Sequence, residues 1–320
     1  MATPADTGTD PTASHPGGAW RHDTEQVATT IRRRVLELTL RQDGCYLSQA
    51  LSSADVLATL YTRLLQLPTL DTPLGAPPFA GVPGTTGGGS PSGGRFHGRR
   101  GPQWDRFLIS PAHYAVAIYA ALETVGRLEP GALETFNTDG STLEMIGAEH
   151  SPGFELTTGS FGQALSQAAG IAFARSLRDE PGRTAVFVSD GEMEEGQTWE
   201  GAQAAAHYRL NRLMLFVDVN GQQVDGATRE VMNVEPIDAR FAAFGWEVAV
   251  VDGHDVTQIA EAVENREHHD RPLAVLCRTD SARGVPYLNK LKPHLHYVRP
   301  KSDEDRQALE AALAQMREAS

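Results

Sequence analysis

The chain has 320 residues, 40% hydrophobic and 22% charged, which supports a sizeable buried core. Its formal charge of −13 and pI near 5.3 exclude a nucleic acid or an anionic membrane as the main partner, because both need clustered positive charge. Only Cys45 and Cys277 occur, too few for a disulfide framework or a cysteine metal cluster. With no membrane-length apolar run and no signal-peptide core, the reading is a soluble protein of the reducing cytoplasm.

Residues 1–20 are rich in Ala, Thr, Pro and Gly without apolar periodicity and predict a disordered tail. Val27, Ile31, Val35, Leu36 and Leu38 recur at helical spacing and predict a helix over 23–40. Ser52 with Asp55 reads as a capping box opening a second helix that runs to 65. Residues 69–101, broken by Gly-Gly-Gly, Pro-Pro and Ser-Gly, predict a flexible, disordered insertion. Ser110-Pro111 then offers an N-cap and a first-turn proline for a helix to about 125. From there on, the apolar runs 184–189, 213–219, 246–251 and 273–277 alternate with helical patterns over 199–208, 237–244 and 256–264. This alternation predicts parallel pairing through helical crossovers: a doubly wound, mostly parallel α/β sheet with helices on both faces, forming one domain over 21–300. A charged helical tail follows over 301–320.

In such sheets ligands sit beyond the carboxyl ends of the strands. Two of those ends stand out, Ser189-Asp190-Gly191-Glu192 and Asp218-Val219-Asn220-Gly221-Gln222. Either alone is an ordinary turn. On adjacent parallel strands, however, Asp190 and Asn220 would emerge at the same edge, each followed by a glycine that lets backbone approach a ligand. A carboxylate oxygen, an amide oxygen and a nearby main-chain carbonyl are hard ligands suited to Mg²⁺ or Ca²⁺, so the pair predicts a metal-bridged diphosphate. His254, in Asp252-Gly253-His254-Asp255 between an apolar run and a helix, reads as fixing a turn and cap rather than as catalytic.

Asp190-Gly191 with the later Asn220 resembles the thiamin-diphosphate signature. Five further stretches resemble transketolases in the expected order: Trp104 to Ser110 with His113, Thr157 to Gln163, Glu194-Glu195-Gly196 with Glu200, Val251 to Asp255, and Thr279 to Gly284. The resemblance covers about residues 25–300 and implies a thiamin-diphosphate-binding fold of the diphosphate-holding type. It implies thiamin diphosphate and Mg²⁺ (or Ca²⁺) as cofactors, with Asp190, Asn220 and the backbone carbonyl of Gln222 on the ion. Gly191 and Glu192 fall with the diphosphate contacts, and Gly159 and Phe161 with the pocket lining. His113 and a histidine of the segment His294-Leu295-His296, taken as His296, are implied near the diphosphate or the reacting carbons. Glu195 and Glu200 match acidic residues at the subunit interface that links paired active sites.

Three positions depart from the family pattern. Ser189 replaces the first glycine of the signature, and Tyr46 stands where a histidine assists proton transfer on the sugar. A phenol ionises near ~10 against ~6.5 for imidazole and is a poor proton shuttle at neutral pH. The Gly-His-Pro expected before Thr157 is replaced by residues 145–150, where His150 is the candidate substitute.

In the family a pyrimidine-binding domain carrying the activating glutamate follows the diphosphate-binding one. The chain ends soon after its last matched motif, so the expectation is the N-terminal subunit of a split transketolase, completed by a separate C-terminal subunit in an α2β2 assembly. It would move a two-carbon ketol unit from a ketose (phosphate) donor to an aldose acceptor. Two alternatives stay open: the cofactor-binding subunit of a 2-oxo acid dehydrogenase or acyl-transfer enzyme, and a non-catalytic cofactor-binding scaffold that has lost activity through the Tyr46 change.

Overall fold

The computed structural model of the chain describes residues 18–81 and 91–318. Helix α1 (Ala19–Arg41) packs on α2 (Leu47–Thr59), which runs on into a π-helical turn over Leu60–Leu64. Strand β1 (Arg106–Ile109) leads through a 3-10 turn (Ala112–Tyr114) into α3 (Ala115–Thr124). Then come α4 (Gln163–Ser176), β2 (Thr184–Ser189), α5 (Gly196–His207) and β3 (Leu213–Val219). A small hairpin of β4 (Gln222–Gln223) and β5 (Gly226–Ala227) precedes α6 (Thr228–Val231) and α7 (Ile237–Ala243). The chain closes with β6 (Glu247–Asp252), α8 (Val256–Glu264), β7 (Leu273–Arg278) and α9 (Asp303–Glu318).

The main sheet has the order β1-β2-β3-β7-β6 and every pairing in it is parallel. Its central strands are apolar on both faces, as parallel strands covered by helices must be. Successive side chains alternate between layers. In β3, Leu213, Leu215 and Val217 join the core beneath α4, α5 and α7, whereas Met214 and Phe216 join the core beneath α1, α2 and α3. The expected doubly wound α/β architecture is therefore the observed one. Among the described residues no helix is long and apolar enough to cross a membrane, and both cysteines are free and buried.

Several local expectations change. Residues 1–17 of the predicted tail lie outside the described residues, and α1 already begins at Ala19. Helix α2 starts at Leu47, so Ser52 and Asp55 are interior rather than a capping box. Their side chains have tertiary partners: Ser52 Oγ donates to Asp218 at 2.6 Å, and Asp55 pairs with Arg32 and accepts from His254 Nδ1 at 2.7 Å. Ser110 does not cap α3, because its hydroxyl donates to Glu192 at 2.6 Å. The C-terminal helix packs on α1 through Leu309, Ala312, Leu313 and Met316 and is part of the domain body. His254 joins the turn, as expected, but is not the cap. Its Nε2 accepts from the Asp280 amide at 2.8 Å, while the cap of α8 is Asp255, which accepts from the Thr257 and Gln258 amides.

The insertion departs most from its composition. Residues 82–90 lie outside the described residues, but a 3-10 turn at Gly93–His97 buries Phe96 and His97. Tyr61 OH meets His97 Nε2 at 3.0 Å, and His97 Nδ1 lies 3.3 Å from Glu155, which also ion-pairs with Arg106. Burial alone would raise the Glu155 carboxyl, but its bonds and charges with His97 and then Arg106 outweigh that and hold it at about 2 against an ordinary 4.5. A depressed carboxylate stabilises the fold above its unfolded pKa and loses that contribution as pH falls toward the folded one. Glu155→Gln is expected to flatten the loss of stability between pH about 4.5 and 2, followed as denaturation midpoint against pH. An unchanged acid slope would remove Glu155 from the network that holds this segment.

Candidate active site

Strands β2 and β3 run side by side with Ser189 opposite Asp218, so the chain leaves both at one edge of the sheet. The residue after β2 is Asp190, 2% exposed, and its Oδ2 accepts from the Gly221 amide at 2.8 Å and the Thr228 hydroxyl at 3.3 Å. The Gly221 amide can reach Asp190 because the loop turns at a φ of +70°, a conformation that favours glycine. Asn220, one residue earlier, turns its Oδ1 to the Gln222 amide at 3.0 Å. The two tips predicted to share one edge are thus joined by a hydrogen bond.

Burial first, and the charge of Asp218 second, push the Asp190 carboxyl up to about 7. A divalent cation is the natural remedy for a buried carboxylate next to another. Among the described residues no cluster of three or more His, Cys, Asp or Glu is set to hold a metal. The available donors are instead mixed, with one carboxylate, the Asn220 amide and the main chain at Gln222, which suits a hard ion that keeps phosphate and water ligands. Gln222 Oε1 is buried without a partner among the described residues, and a Cβ added at Gly191 would meet only Phe161, at 3.7 Å. The residues present fit a metal-bridged diphosphate.

Around this edge stand rings from distant parts of the chain. His113 comes from the 3-10 turn after β1, Phe161 from the loop before α4, and His296 from the segment ahead of α9. The start of α2 holds that last segment. Gln49 Nε2 donates to the His296 carbonyl at 3.0 Å, Ser48 Oγ to that of Leu295, and Cys45 and Val298 exchange both backbone bonds at 3.1 and 3.0 Å. As a result the His113 and His296 centroids are 5.0 Å apart, Tyr46 lies 5.4 Å from each, and Phe161 is 6.0 Å from His113. Burial, then His296, lowers His113 to about 3, and burial lowers His296 as well. Tyr46 is raised, by burial and then by Tyr297 and Cys45. His113 is thus a neutral imidazole and Tyr46 a neutral phenol at physiological pH, able to donate or accept a hydrogen bond without charge.

His113, Phe161, Asp190, Gly191, Asn220, Gln222 and His296 line one cleft, with exposed Glu195 at its wall. Tyr46 packs on both histidine rings of the cleft, and the remaining predicted residues are not among those that line it. Gly159 acts through backbone: its φ is +97°, its amide donates to Ser110 O at 3.1 Å, and a Cβ there would lie 2.9 Å from that of Ala112. Glu192 points into the protein, where it accepts from Ser110, the Gly162 amide at 3.2 Å and the Ser189 amide at 3.4 Å. Burial pushes its carboxyl up to about 7, and it fastens three loops behind the cleft rather than lining it. Glu200 is exposed on α5 away from the cleft. His150, the candidate substitute, is not among the residues lining the cleft; it pairs with Glu144 at 2.8 Å and packs 5.1 Å from the Phe79 ring.

Gln49 and Tyr114 also line the cleft and carry no local signal in the sequence, and Glu194, part of the stretch that resembles the family, joins them. Asp218, behind the cleft, does carry a signal: it is the sole charge in the run LMLFVDV.

Comparisons with known proteins agree with this geometry. Residues 95–310 match the family model described as transketolase, thiamine diphosphate binding domain. A transketolase family protein of Sinorhizobium fredii is 38% identical over 290 residues, covering 88% of this chain and 92% of that protein. A 6-deoxy-6-sulfo-D-fructose transketolase subunit of a Clostridium species is 32% identical over 275 residues, covering 85% of this chain and 90% of its own length. Among solved structures, the transketolase of Campylobacter jejuni superposes with a TM-score of 0.71 at 21% identity. That superposition takes in 91% of this chain but 43% of the longer enzyme, so the chain spans less than half of it.

Proposed function

Because the chain belongs to the transketolase family, matching its thiamine diphosphate binding domain, we propose that it is the cofactor-holding subunit of a two-chain, cytoplasmic ketol transferase, active in an α2β2 assembly. The observation that carries this reading is the Gly221 amide on Asp190, which puts the oxygens of Asp190 and Asn220 at one sheet edge. Asp190, Asn220 and the Gln222 carbonyl would hold Mg²⁺ or Ca²⁺, and the Gly191 amide would face the diphosphate. When bound, thiamin diphosphate supplies a nucleophilic carbon and an electron sink for ketol cleavage. The neutral rings of His113 and His296 would hydrogen-bond the diphosphate or the substrate hydroxyls, and Phe161 would shield the cofactor from water. A separate C-terminal subunit would bring the activating glutamate, a reading supported by the similar Clostridium protein being named a subunit. Glu195, at the cleft wall, would face that assembly's interface. Glu200 would do so from α5.

Tyr46 sets the donor question. It contacts both histidine rings where the family places a histidine, so we read the donor as a ketose other than the ordinary pentose phosphates. The similar sulfofructose transketolase subunit supports a ketose with an anionic terminal group. Tyr46→His is expected to raise kcat/KM for common ketose phosphates, and no gain would separate Tyr46 from donor choice. The reading itself is tested by mixing the chain with the subunit encoded beside it, thiamin diphosphate, Mg²⁺ and a panel of ketose donors with an aldose acceptor. Turnover only in the complete mixture is expected. Cofactor binding without turnover of any donor would overturn it.

A further inference from the structure

Asp218 is 0% exposed, yet it accepts from four side chains: Ser52 at 2.6 Å, Tyr114 at 2.7 Å, Asn220 Nδ2 at 3.2 Å and Thr279. So many donors on one carboxylate secure its place, but one of them matters beyond packing. A carboxylate oxygen that accepts here needs a donor, so the Asn220 group that faces it is the NH₂ of its amide. The Tyr114 hydroxyl repeats the instruction, because its proton goes to Asp218 and its oxygen receives Asn220 Nδ2 at 3.2 Å. From the other side the Gln222 amide donates to Asn220 Oδ1 at 3.0 Å. A terminal amide otherwise rotates in a broad, nearly two-fold well. Here both ends are specified.

We propose that Asp218 is a positioning residue that holds the Asn220 amide with its oxygen, not its nitrogen, toward a divalent ion shared with Asp190. One lone pair of that oxygen meets the Gln222 amide and the second is left for the ion. The role rests on the reading that Asp190 and Asn220 bind a cation. It adds to that reading a residue that touches neither metal nor cofactor.

The test is a Mn²⁺ titration of the full chain with thiamin diphosphate present, following free Mn²⁺ by electron paramagnetic resonance. Residues that orient metal ligands typically change affinity by about 10–100-fold, and Asp218→Ala is expected to weaken Mn²⁺ binding by about tenfold or more. Asp218→Asn, whose amide oxygen can still accept from Asn220, is expected to recover part of that loss, remaining about threefold weaker than wild type for want of the charge. Ser52→Ala removes a different donor from Asp218 without touching Asn220 and should stay within about twofold. Wild-type affinity in the two Asp218 variants would overturn the role, as would an equal loss in Ser52→Ala, which would mark Asp218 as merely structural. Should Asp218→Ala fail to fold, Asp218→Asn alone decides, and wild-type affinity there overturns the proposal. A wild-type chain that takes up no Mn²⁺ would overturn the cation reading and this role together, whereas wild-type uptake with indifferent variants overturns only the role.

Discussion

Asp190→Ala should weaken thiamin diphosphate binding in the presence of Mg²⁺ by about 100-fold, which is roughly 2.7 kcal/mol. The magnitude follows from what would be lost, since a hydrogen bond to a charged group is worth about 1.5–3 kcal/mol and Asp190 would be the one charged ligand of the proposed ion. Stability without the cofactor should move the other way. Burial and Asp218 push the Asp190 carboxyl up to about 7, so in the absence of a cation this carboxylate costs the fold more than its bonds from Gly221 and Thr228 return. The variant is therefore expected to melt at or above the wild-type temperature when free of metal and to gain nothing from Mg²⁺ and cofactor, whereas wild type is expected to gain several degrees. Calorimetric titration and thermal melts with and without ligand read both halves. Wild-type cofactor affinity in Asp190→Ala would end the assignment of the sheet edge as the diphosphate site.

The parts of the fold that were legible are those where one local signal suffices. Strands β2, β3, β6 and β7 are short apolar runs, and α8 combines an apolar stripe with an Asp255 cap. Helix α4 gives a weak sequence signal because, apart from Leu165, the apolar part of its buried face is Ala164, Ala168, Ala169 and Ala172, small residues that add little apolar bulk. Strand β1 spans four residues, too few for periodicity to register. The start of α2 is hidden in the sequence because Ser52 and Asp55 mimic a cap, while in space their oxygens belong to Asp218, Arg32 and His254. Tertiary partners override local propensity. The site followed the same division. Asp190 and Asn220 could be paired from strand order, but the inward turn of Glu192, the capture of His150 by Glu144 and the clamp of Gln49 on His296 depend on contacts across long stretches of chain.

Gly93→Ala is expected to destabilise the protein by roughly 3 kcal/mol, at the upper end for an overpacked site. Composition marks residues 69–101 as a loop with little to bury, yet Gly93 is held on both sides: its amide donates to Glu149 O at 2.7 Å and its carbonyl accepts from Gly153 at 3.0 Å. A Cβ at this position would lie 1.7 Å from Ser151 O and 2.8 Å from Phe154 O. Both are backbone atoms and cannot rotate aside as a side chain would. The 3-10 turn would have to withdraw, carrying Phe96 out of the core and His97 away from Tyr61 and Glu155. Gly126→Ala is the matching control. Its φ is +73° but nothing lies within 4 Å of the added carbon, so only the left-handed backbone penalty applies, about 1–2 kcal/mol. Denaturant midpoints of the two variants compare close packing with backbone strain alone. If Gly93→Ala proves no costlier than Gly126→Ala, the turn is not packed against residues 149–154, and the composition of the insertion describes it better than its buried phenylalanine does.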